Sequence, residues 1–455
     1  MSIVIDNMAR HKLQLKDYET AEALYHRAHS IYVEEMNADT DEVRKMIADN
    51  YHQLGIVAEL QRLWTQAEEY FRKSLQIRIE CNDPHAQADS YYQLGILAQR
   101  QHQWTQAKEY YQQALQIYSA SGDRYAEADT HYQLSTIADQ RRQWDQVEEH
   151  CKQSLQIYRE FNDSYAQAKV FNQLGDTARE QHHWAQAGEY YQRALQIKIN
   201  FHDRYSQATT YYQLGIVAQQ QGEWLQAEQY YQQALQTEIE FNDLDAQADT
   251  YHQLARLAQE QGHWNQSEQH YLQALHIYVD LKDRYKQAMT YLNLGSLAQK
   301  QRQWNHAEGY YLQALPIFTD FNDRYSESAS YSNLGAVAQE QQQWDLAKQY
   351  YQQALPIFTD FNDRYRQADI FSNLGWIAQE QQQWDQARDY FLQALEIFTA
   401  YEDAEAARSA LFGLALLWQR NDDPDLLSGI ASIFEMSLEE MKGLLNFIVK
   451  NKSGK

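Results

Sequence analysis

Residues 201–240 read FHDRYSQATTYYQLGIVAQQQGEWLQAEQYYQQALQTEIE, and this stretch decides the fold. Its small and apolar residues form two stripes, which are Ala208, Tyr211, Leu214, Gly215 and Ala218, and then Trp224, Ala227, Tyr231, Ala234 and Leu235. Steps of three and four residues place each stripe on one face of an α-helix. Asp203 precedes the first stripe as an expected N-cap, and Gln221-Gly222-Glu223 forms a short turn between the stripes. The stretch therefore predicts two antiparallel helices joined by a tight turn.

The same pattern recurs every 40 residues along most of the chain. Trp occurs at this spacing from Trp64 to Trp384, and Leu from Leu54 to Leu374, without insertion or deletion. One helix pair cannot bury both of its apolar faces, whereas stacked pairs complete a continuous core. We therefore expect an all-α, right-handed superhelical solenoid of about ten antiparallel helix pairs, closed by a C-terminal helical cap.

The two ends depart from the repeat and are expected to cap it. The predicted divisions are a divergent N-terminal capping repeat at 1–40, nine repeats at 41–400 and C-terminal capping helices at 401–455. In the last division we expect helices near 404–420, 425–435 and 438–450. Asp422-Asp423-Pro424 should break the chain there, and Ser437-x-x-Glu440 is typical of a capping box.

Two prolines, Pro316 and Pro356, occupy the same repeat position in consecutive second helices. Each removes one backbone hydrogen bond and should bend the last turn of its helix. The bend is either local or a change in the curvature of the solenoid, and the sequence leaves both alternatives open.

Composition and charge exclude several function classes. The chain has 39 Lys and Arg against 63 Asp and Glu, a net charge of −24, with no basic run. Binding to nucleic acid or to an anionic membrane needs clustered cations, so neither partner is expected. The acidity suits a partner with basic segments, or simply solvated outer helix faces. Two cysteines without CxxC spacing, no apolar run of 18 residues and no signal-peptide pattern favour a cytoplasmic protein.

The sequence contains no recognisable catalytic motif. A P-loop, GxGxxG and HExxH are all absent, and the His residues occupy many different repeat positions. His182-His183 and His150-Cys151 are adjacent pairs, whose side chains point about 100° apart on a helix. Cys151 occupies a repeat position held elsewhere by Tyr, which favours a buried packing role. We predict no catalytic residue, no metal site and no cofactor.

The unit resembles the tetratricopeptide repeat. The resemblance rests on Tyr211-x2-Leu214-Gly215-x2-Ala218, followed by Ala227-x3-Tyr231. The 40-residue period is similar to that of kinesin light chain, of spindle-orientation adaptors that bind GoLoco proteins, and of arrays in bacterial signalling proteins. Asn-Asp-Arg-Tyr at 322–325 and 362–365 is similar to an element of those adaptors. The resemblance implies a binding scaffold whose first helices line a concave groove, and it names no partner.

A binding surface on the first helices should avoid their core positions. The candidate face consists of positions 209, 212, 213, 216 and 220 and their counterparts in the other repeats. The predicted groove residues are Asp89, Tyr92, Asp129, Tyr132, Asn172, Tyr212, His252, Arg256, Asn293, Asn333, Asn373 and Trp376. Variation between repeats at this face indicates either ligand specificity or drift on a solvated surface.

Three of these residues receive a role from the resemblance, and others from their chemistry. In the kinesin light chain and adaptor relatives, Asn at the position of Asn293, Asn333 and Asn373 contacts the ligand backbone. Such amides could instead bridge adjacent first helices. Trp376 is typical of a binding hot spot, and Asp89 and Asp129 could pair with a basic segment of the partner.

The predicted function is a scaffold or adaptor that binds a protein or peptide in its concave groove. The alternative is a regulatory or sensor subunit that holds and controls a separate effector enzyme, such as a protease or a nucleotide-dependent switch. An apolar stripe in the last helix, which consists of Leu438, Met441, Leu444, Leu445 and Ile448, belongs either to the cap or to a homo-oligomer interface within 425–450.

Overall fold

The structure, a computed structural model, describes residues 2–34, 40–421 and 423–452. These ranges contain helices and turns and no strand. The helices are α1 Ser2–Gln14, α2 Tyr18–Glu34, α3 Asp41–Leu60, α4 Trp64–Glu80, α5 Pro84–Arg100, α6 Trp104–Ser121, α7 Arg124–Gln140, α8 Trp144–Glu160, α9 Ser164–Glu180, α10 Trp184–Asn200, α11 Arg204–Gln220, α12 Trp224–Glu240, α13 Leu244–Glu260, α14 Trp264–Asp280, α15 Arg284–Lys300, α16 Trp304–Asp320, α17 Arg324–Glu340, α18 Trp344–Asp360, α19 Arg364–Glu380, α20 Trp384–Ala400, α21 Ala404–Asn421, α22 Pro424–Ile433 and α23 Leu438–Lys452. The all-α expectation and the helix pair in each repeat are confirmed.

The helices form two compact units, Met1–Thr237 and Glu238–Lys455. Within the first unit, α3 packs on α4, α4 on α5, and so on along the chain to α10 and α11. The second unit follows the same rule from α13 to α21. Within each of these two series, a first helix therefore contacts its own second helix and the second helix of the preceding repeat, as stacked repeats require.

Close approach within each helix pair depends on a residue without a side chain. A Cβ added at Gly335 would lie 2.7 Å from Cε1 of the Tyr351 ring, which is too close for a real contact. The same approach recurs at Gly55, Gly95, Gly175, Gly215, Gly295 and Gly375. The repeat 121–160 differs at both positions, because it has Ser135 in place of the Gly and Cys151 in place of the ring. A larger residue on one helix is thus matched by a smaller one on the other.

The ends of the helices follow local rules that the sequence displays. Asp203 is the N-cap of α11, and its carboxylate accepts a hydrogen bond from the Ser206 backbone N–H at 3.1 Å. Gly222 in the following turn has a φ of 75°, in the left-handed region that suits glycine. Both expectations for the repeat 201–240 are confirmed. α16 and α18 each continue for four residues beyond Pro316 and Pro356.

The core differs from the two predicted stripes in two respects. Trp224 is 40% exposed, so its assignment to the buried stripe was wrong. It is the first residue of α12, and side chains there lean over the preceding turn rather than into the core. Val217 is only 3% exposed although it lies outside the predicted stripe. It packs with Ala187 and Tyr191 of the preceding repeat, a second contact surface that one stripe does not describe.

The C-terminal helices follow the prediction closely. Ser437 and Glu440 form the capping box, with the Ser437 backbone N–H donating to the carboxylate at 3.0 Å and the Glu440 N–H donating to the hydroxyl at 3.3 Å. Met441 and Leu445 are fully buried in the cluster that contains Trp418. The middle of the apolar stripe is therefore covered inside this unit. Asp422 lies outside the described residues.

Candidate functional site

All the predicted groove residues lie on first helices of the repeats. Those from Asp89 to Tyr212 belong to α5, α7, α9 and α11 of the first unit. Those from His252 to Trp376 belong to α13, α15, α17 and α19 of the second unit. Adjacent first helices contact each other within each unit: α7 contacts α9 in the first unit, and α17 contacts α19 in the second.

The two acidic candidates in the first unit are engaged within their own repeats. Asp89 accepts a hydrogen bond from the Tyr118 hydroxyl at 2.7 Å, and Asp129 accepts one from the Tyr158 hydroxyl. Burial raises the pKa of Asp129. These carboxylates serve first to hold the second helix of the repeat against the first, so they give no specific support to a basic partner segment.

The aromatic candidates of the first unit are half-buried platforms rather than free side chains. Tyr92 meets the Tyr111 ring edge-on with centroids 5.5 Å apart, and Tyr212 meets Tyr231 at 6.0 Å. Burial raises the pKa of Tyr92 to about 12 and also raises that of Tyr132. Each ring thus covers the core of its repeat and leaves only part of its surface to a ligand.

Asn172 carries an unused hydrogen-bond acceptor on the candidate face. Its Oδ1 atom is buried and has no hydrogen-bond partner in the part of the chain that the structure describes. A buried polar atom without a partner costs free energy, commonly about 1–3 kcal/mol. A donor from a bound partner would remove this cost.

In the second unit, His252 and Asn293 form a bridge between adjacent first helices. The Asn293 amide nitrogen lies 2.9 Å from Nε2 of His252. Burial, more than the nearby Arg256, lowers the pKa of His252 to about 4, so the ring is neutral at pH 7 and Nε2 can accept the bond. Asn293 therefore bridges two adjacent first helices, which is the alternative to the predicted contact with a ligand backbone. Arg256 is exposed, and its guanidinium lies 3.4 Å from Oε1 of Gln253.

A hollow of about 240 Å³ opens beside Asn293 and Asn333 on the candidate face of α15 and α17. The hollow is lined by Leu292, Asn293, Ser296, Tyr325, Ala329, Ser332, Asn333, Phe358 and Arg366. No hydrogen bond holds the Asn333 amide among the described residues, in contrast to that of Asn293. Ser296, Ala329 and Ser332 lie at positions of the predicted candidate face, but they are not among the individual groove residues that the sequence predicted. Three small residues at variable positions of neighbouring repeats are the signal for a hollow.

Trp376 is packed more tightly than a free hot spot would be. Its ring meets Phe391 edge-on at 5.1 Å, and its Nε1–H donates to the Ser409 hydroxyl at 3.3 Å. The side chain is part of the cluster that joins α19 to the C-terminal helices. Asn373 lies one turn before it and is half-buried, with no hydrogen bond to its amide within the described ranges.

The described residues contain neither a cluster of metal ligands nor a helix that could span a membrane. Among residues 2–34, 40–421 and 423–452, no group of three or more His, Cys, Asp or Glu side chains is arranged to hold a metal ion. None of the helices in those ranges is both long enough and apolar enough to cross a membrane.

The repeat pattern and the packing of the helix pairs define a class of protein, and a comparison with known families identifies it. Residues 46–400 match the tetratricopeptide repeat family in eight overlapping windows that advance by 40 residues, from 46–120 to 326–400. The chain belongs to the tetratricopeptide repeat family. A comparison with curated proteins gave no match.

Solved structures share the fold at low sequence identity. A signal transduction ATPase with numerous domains and a tetratricopeptide repeat sensor, from Pyrococcus horikoshii, is 12% identical over 89% of this chain and 74% of that protein, with a TM-score of 0.56. Aspartyl phosphate phosphatase F from Bacillus subtilis is 11% identical over 69% of this chain and 92% of its own, with a TM-score of 0.50. Identities this low support the fold alone.

Proposed function

We propose that this protein is a non-catalytic scaffold that binds an extended segment of a partner protein on the candidate face of its first helices. The observation that carries the proposal is the hollow at Asn333. Small side chains leave the space open there, and Asn333 and Arg366 line it. In the part of the chain that the structure describes, the Asn333 amide has no hydrogen-bond partner. An amide can both donate to and accept from a peptide backbone, which suits it to an extended ligand.

The charge at the hollow favours one kind of partner side chain. Arg366 is more than half exposed, and its nearest carboxylate, that of Asp369, is 3.7 Å away. A guanidinium with this much freedom can bind a carboxylate through two parallel hydrogen bonds. We therefore expect an acidic residue of the partner at this position. The basic partner segment expected from Asp89 and Asp129 remains a separate prediction for the first unit.

The test is affinity capture of the partner from an extract of the native cells, followed by cross-linking to map the bound segment. The variant is Asn333→Ala with Arg366→Ser. Ser occurs at the position of Arg366 in two other repeats, as Ser206 and Ser326, so the change should not disturb α19. Loss of an amide hydrogen bond and of a charge-assisted one should weaken binding about ten- to 100-fold.

A matched control is Gln353→Ala, which removes an exposed amide from the second helix α18. Binding that is lost in the double variant and kept in the control supports the proposal. If the partner binds the double variant as tightly as the parent, the hollow is not the binding site. Trp376 is left unchanged, because its truncation would disturb the C-terminal cluster as well as the surface.

The captured partner also distinguishes a scaffold from a regulatory subunit. A scaffold leaves the activity of its partner unchanged, whereas a regulator alters it when the two are mixed. We place the protein in a reducing compartment, the cytoplasm, because Cys81 and Cys151 are both free thiols.

A further inference from the structure

One repeat, residues 121–160, has two histidines where other repeats stack two aromatic rings. The usual arrangement is seen at Tyr331 and Tyr350, whose ring centroids lie 6.4 Å apart. In this repeat the positions are His131 on α7 and His150 on α8, and their centroids are 5.2 Å apart. The two Nδ1 atoms face each other at 3.0 Å. Two ring nitrogens from different helices thus converge on one point.

Imidazole is a common ligand of transition-metal ions, and the two rings lie where both could bind one ion. Neutral rings keep a lone pair on one nitrogen, which is the ligand atom for a metal ion. Both rings remain partly exposed, so an ion can reach them.

The charged side chains around the pair favour the binding of a cation there. Glu127 on α7 and Glu149 on α8 act on the pair as negative charges, and Arg124 and Lys108 as positive ones. Arg124 is already paired with Glu127 at 2.8 Å, and the Lys108 ammonium donates to Gln146 at 3.1 Å. The Glu149 carboxylate accepts a hydrogen bond from the Gln153 amide at 2.8 Å and acts on both rings as a negative charge.

We propose that His131 and His150 form a two-histidine binding site for a borderline transition-metal ion such as Zn²⁺, which cross-links α7 to α8. Zinc binds imidazole nitrogen at about 2.0–2.1 Å in a tetrahedral arrangement, which puts two ligand nitrogens about 3.3 Å apart. The observed 3.0 Å is within a few tenths of an ångström of that separation. Small ring rotations are enough to admit the ion.

The remaining coordination positions belong to water, because the described residues supply no third donor. Cys151 follows His150 directly in sequence, yet it is fully buried and points into the helix pair. Burial raises the pKa of its thiol to about 12, which disfavours the thiolate that zinc needs. The competing arrangement is a direct hydrogen bond, in which one Nδ1–H donates to the other ring.

The experiment is a titration of the full-length protein with Zn²⁺ alone, followed by calorimetry at pH 7.5. The variants are His131→Tyr and His150→Tyr, which restore residues that other repeats carry at these positions, such as Tyr331 and Tyr350. Each should weaken the tightest zinc equivalent at least about ten-fold, since even indirect supports of a metal ligand are worth 10- to 100-fold.

The control is His182→Gln, which removes a histidine outside the pair and introduces the residue found at the equivalent Gln342 and Gln382. Zinc should also slow hydrogen exchange of α7 and α8 in the parent and in this control, but not in the tyrosine variants. The proposal is wrong if the affinity for the tightest zinc equivalent is the same in both tyrosine variants as in the parent. It is also wrong if zinc does not change the hydrogen-exchange rate of α7 and α8 in the parent, and the two histidines then only form a hydrogen bond. Circular dichroism verifies that each variant is folded.

Discussion

Glu238 is a buried carboxylate whose ionisation should destabilise the protein. Its side chain is 4% exposed. One oxygen accepts a hydrogen bond from the Thr250 hydroxyl at 3.1 Å, and the other has no hydrogen-bond partner among the described residues. Burial raises its pKa from the ordinary 4.5 to about 7. At the equivalent position of other repeats the chain has an aromatic ring such as Tyr278 or Phe318.

The magnitude follows from the difference between the two pKa values. In the folded protein Glu238 holds its proton up to a pH of about 7, whereas the unfolded chain releases it near 4.5. Stability therefore falls as the pH rises through this window, and the full penalty of about 3 kcal/mol is present above pH 7. Glu238→Gln removes the charge and keeps the shape, so it should recover most of that free energy at pH 8 and almost none at pH 4.

A local measurement suits this protein better than a global one, because arrays of repeats do not unfold in a single step. The assay is hydrogen exchange of peptides from α13. Two residues of α13 bind Glu238: the Thr250 hydroxyl donates to its carboxylate, and the Gln247 side-chain amide donates to its backbone carbonyl at 3.0 Å. At pH 8, exchange of α13 should be about 100-fold slower in Glu238→Gln than in the parent. The control for the loss of one charge is Glu240→Gln, an exposed position in α12, the helix that also contains Glu238.

The comparison between variant and parent is made at each pH, so that the intrinsic pH dependence of exchange cancels. Equal exchange of α13 in Glu238→Gln and parent at pH 8 would refute the reasoning. So would a gain that is as large at pH 4 as at pH 8, because the effect would then not come from ionisation.

Two further predictions concern packing and capping. Cys151→Tyr should destabilise the protein by about 1–3 kcal/mol through overpacking against Ser135 and so lower its melting temperature. Adding Ser135→Gly should restore most of the loss, and equal melting of the single and double variants would contradict this. Asp323→Ala should cost about 1 kcal/mol and speed exchange in the first turn of α17, because the carboxylate caps the Ser326 N–H at 3.0 Å, whereas Asp323→Asn should retain most of the stability.

The local features of the fold were readable from the sequence. The Asp203 cap, the turn at Gly222 and the capping box of Ser437 and Glu440 each depend on residues a few positions apart. The 40-residue repeat is visible as the recurrence of such a local pattern at a fixed spacing. Local hydrogen bonds and helical periodicity are the same wherever the segment lies, so a single chain displays them without further information.

The candidate site was predictable only in part. The face of the first helices follows from periodicity, because the core positions exclude it. The sequence did not indicate that Trp376 packs against Phe391, that Asn293 is held by His252, or that Asn333 lies beside a hollow with no hydrogen-bond partner among the described residues. These distinctions depend on contacts between helices of neighbouring repeats.

The sequence by itself determined that this protein consists of tetratricopeptide helix pairs, because each rule acts within one repeat or between similar repeats. Only the tertiary structure decided which side chains are packed against neighbouring helices and which stay on the surface of the candidate face. The Nδ1 atoms of His131 and His150 meet although the residues are 19 apart in the chain. Such contacts depend on how two helices are rotated and spaced, and packing of the whole helix pair sets both.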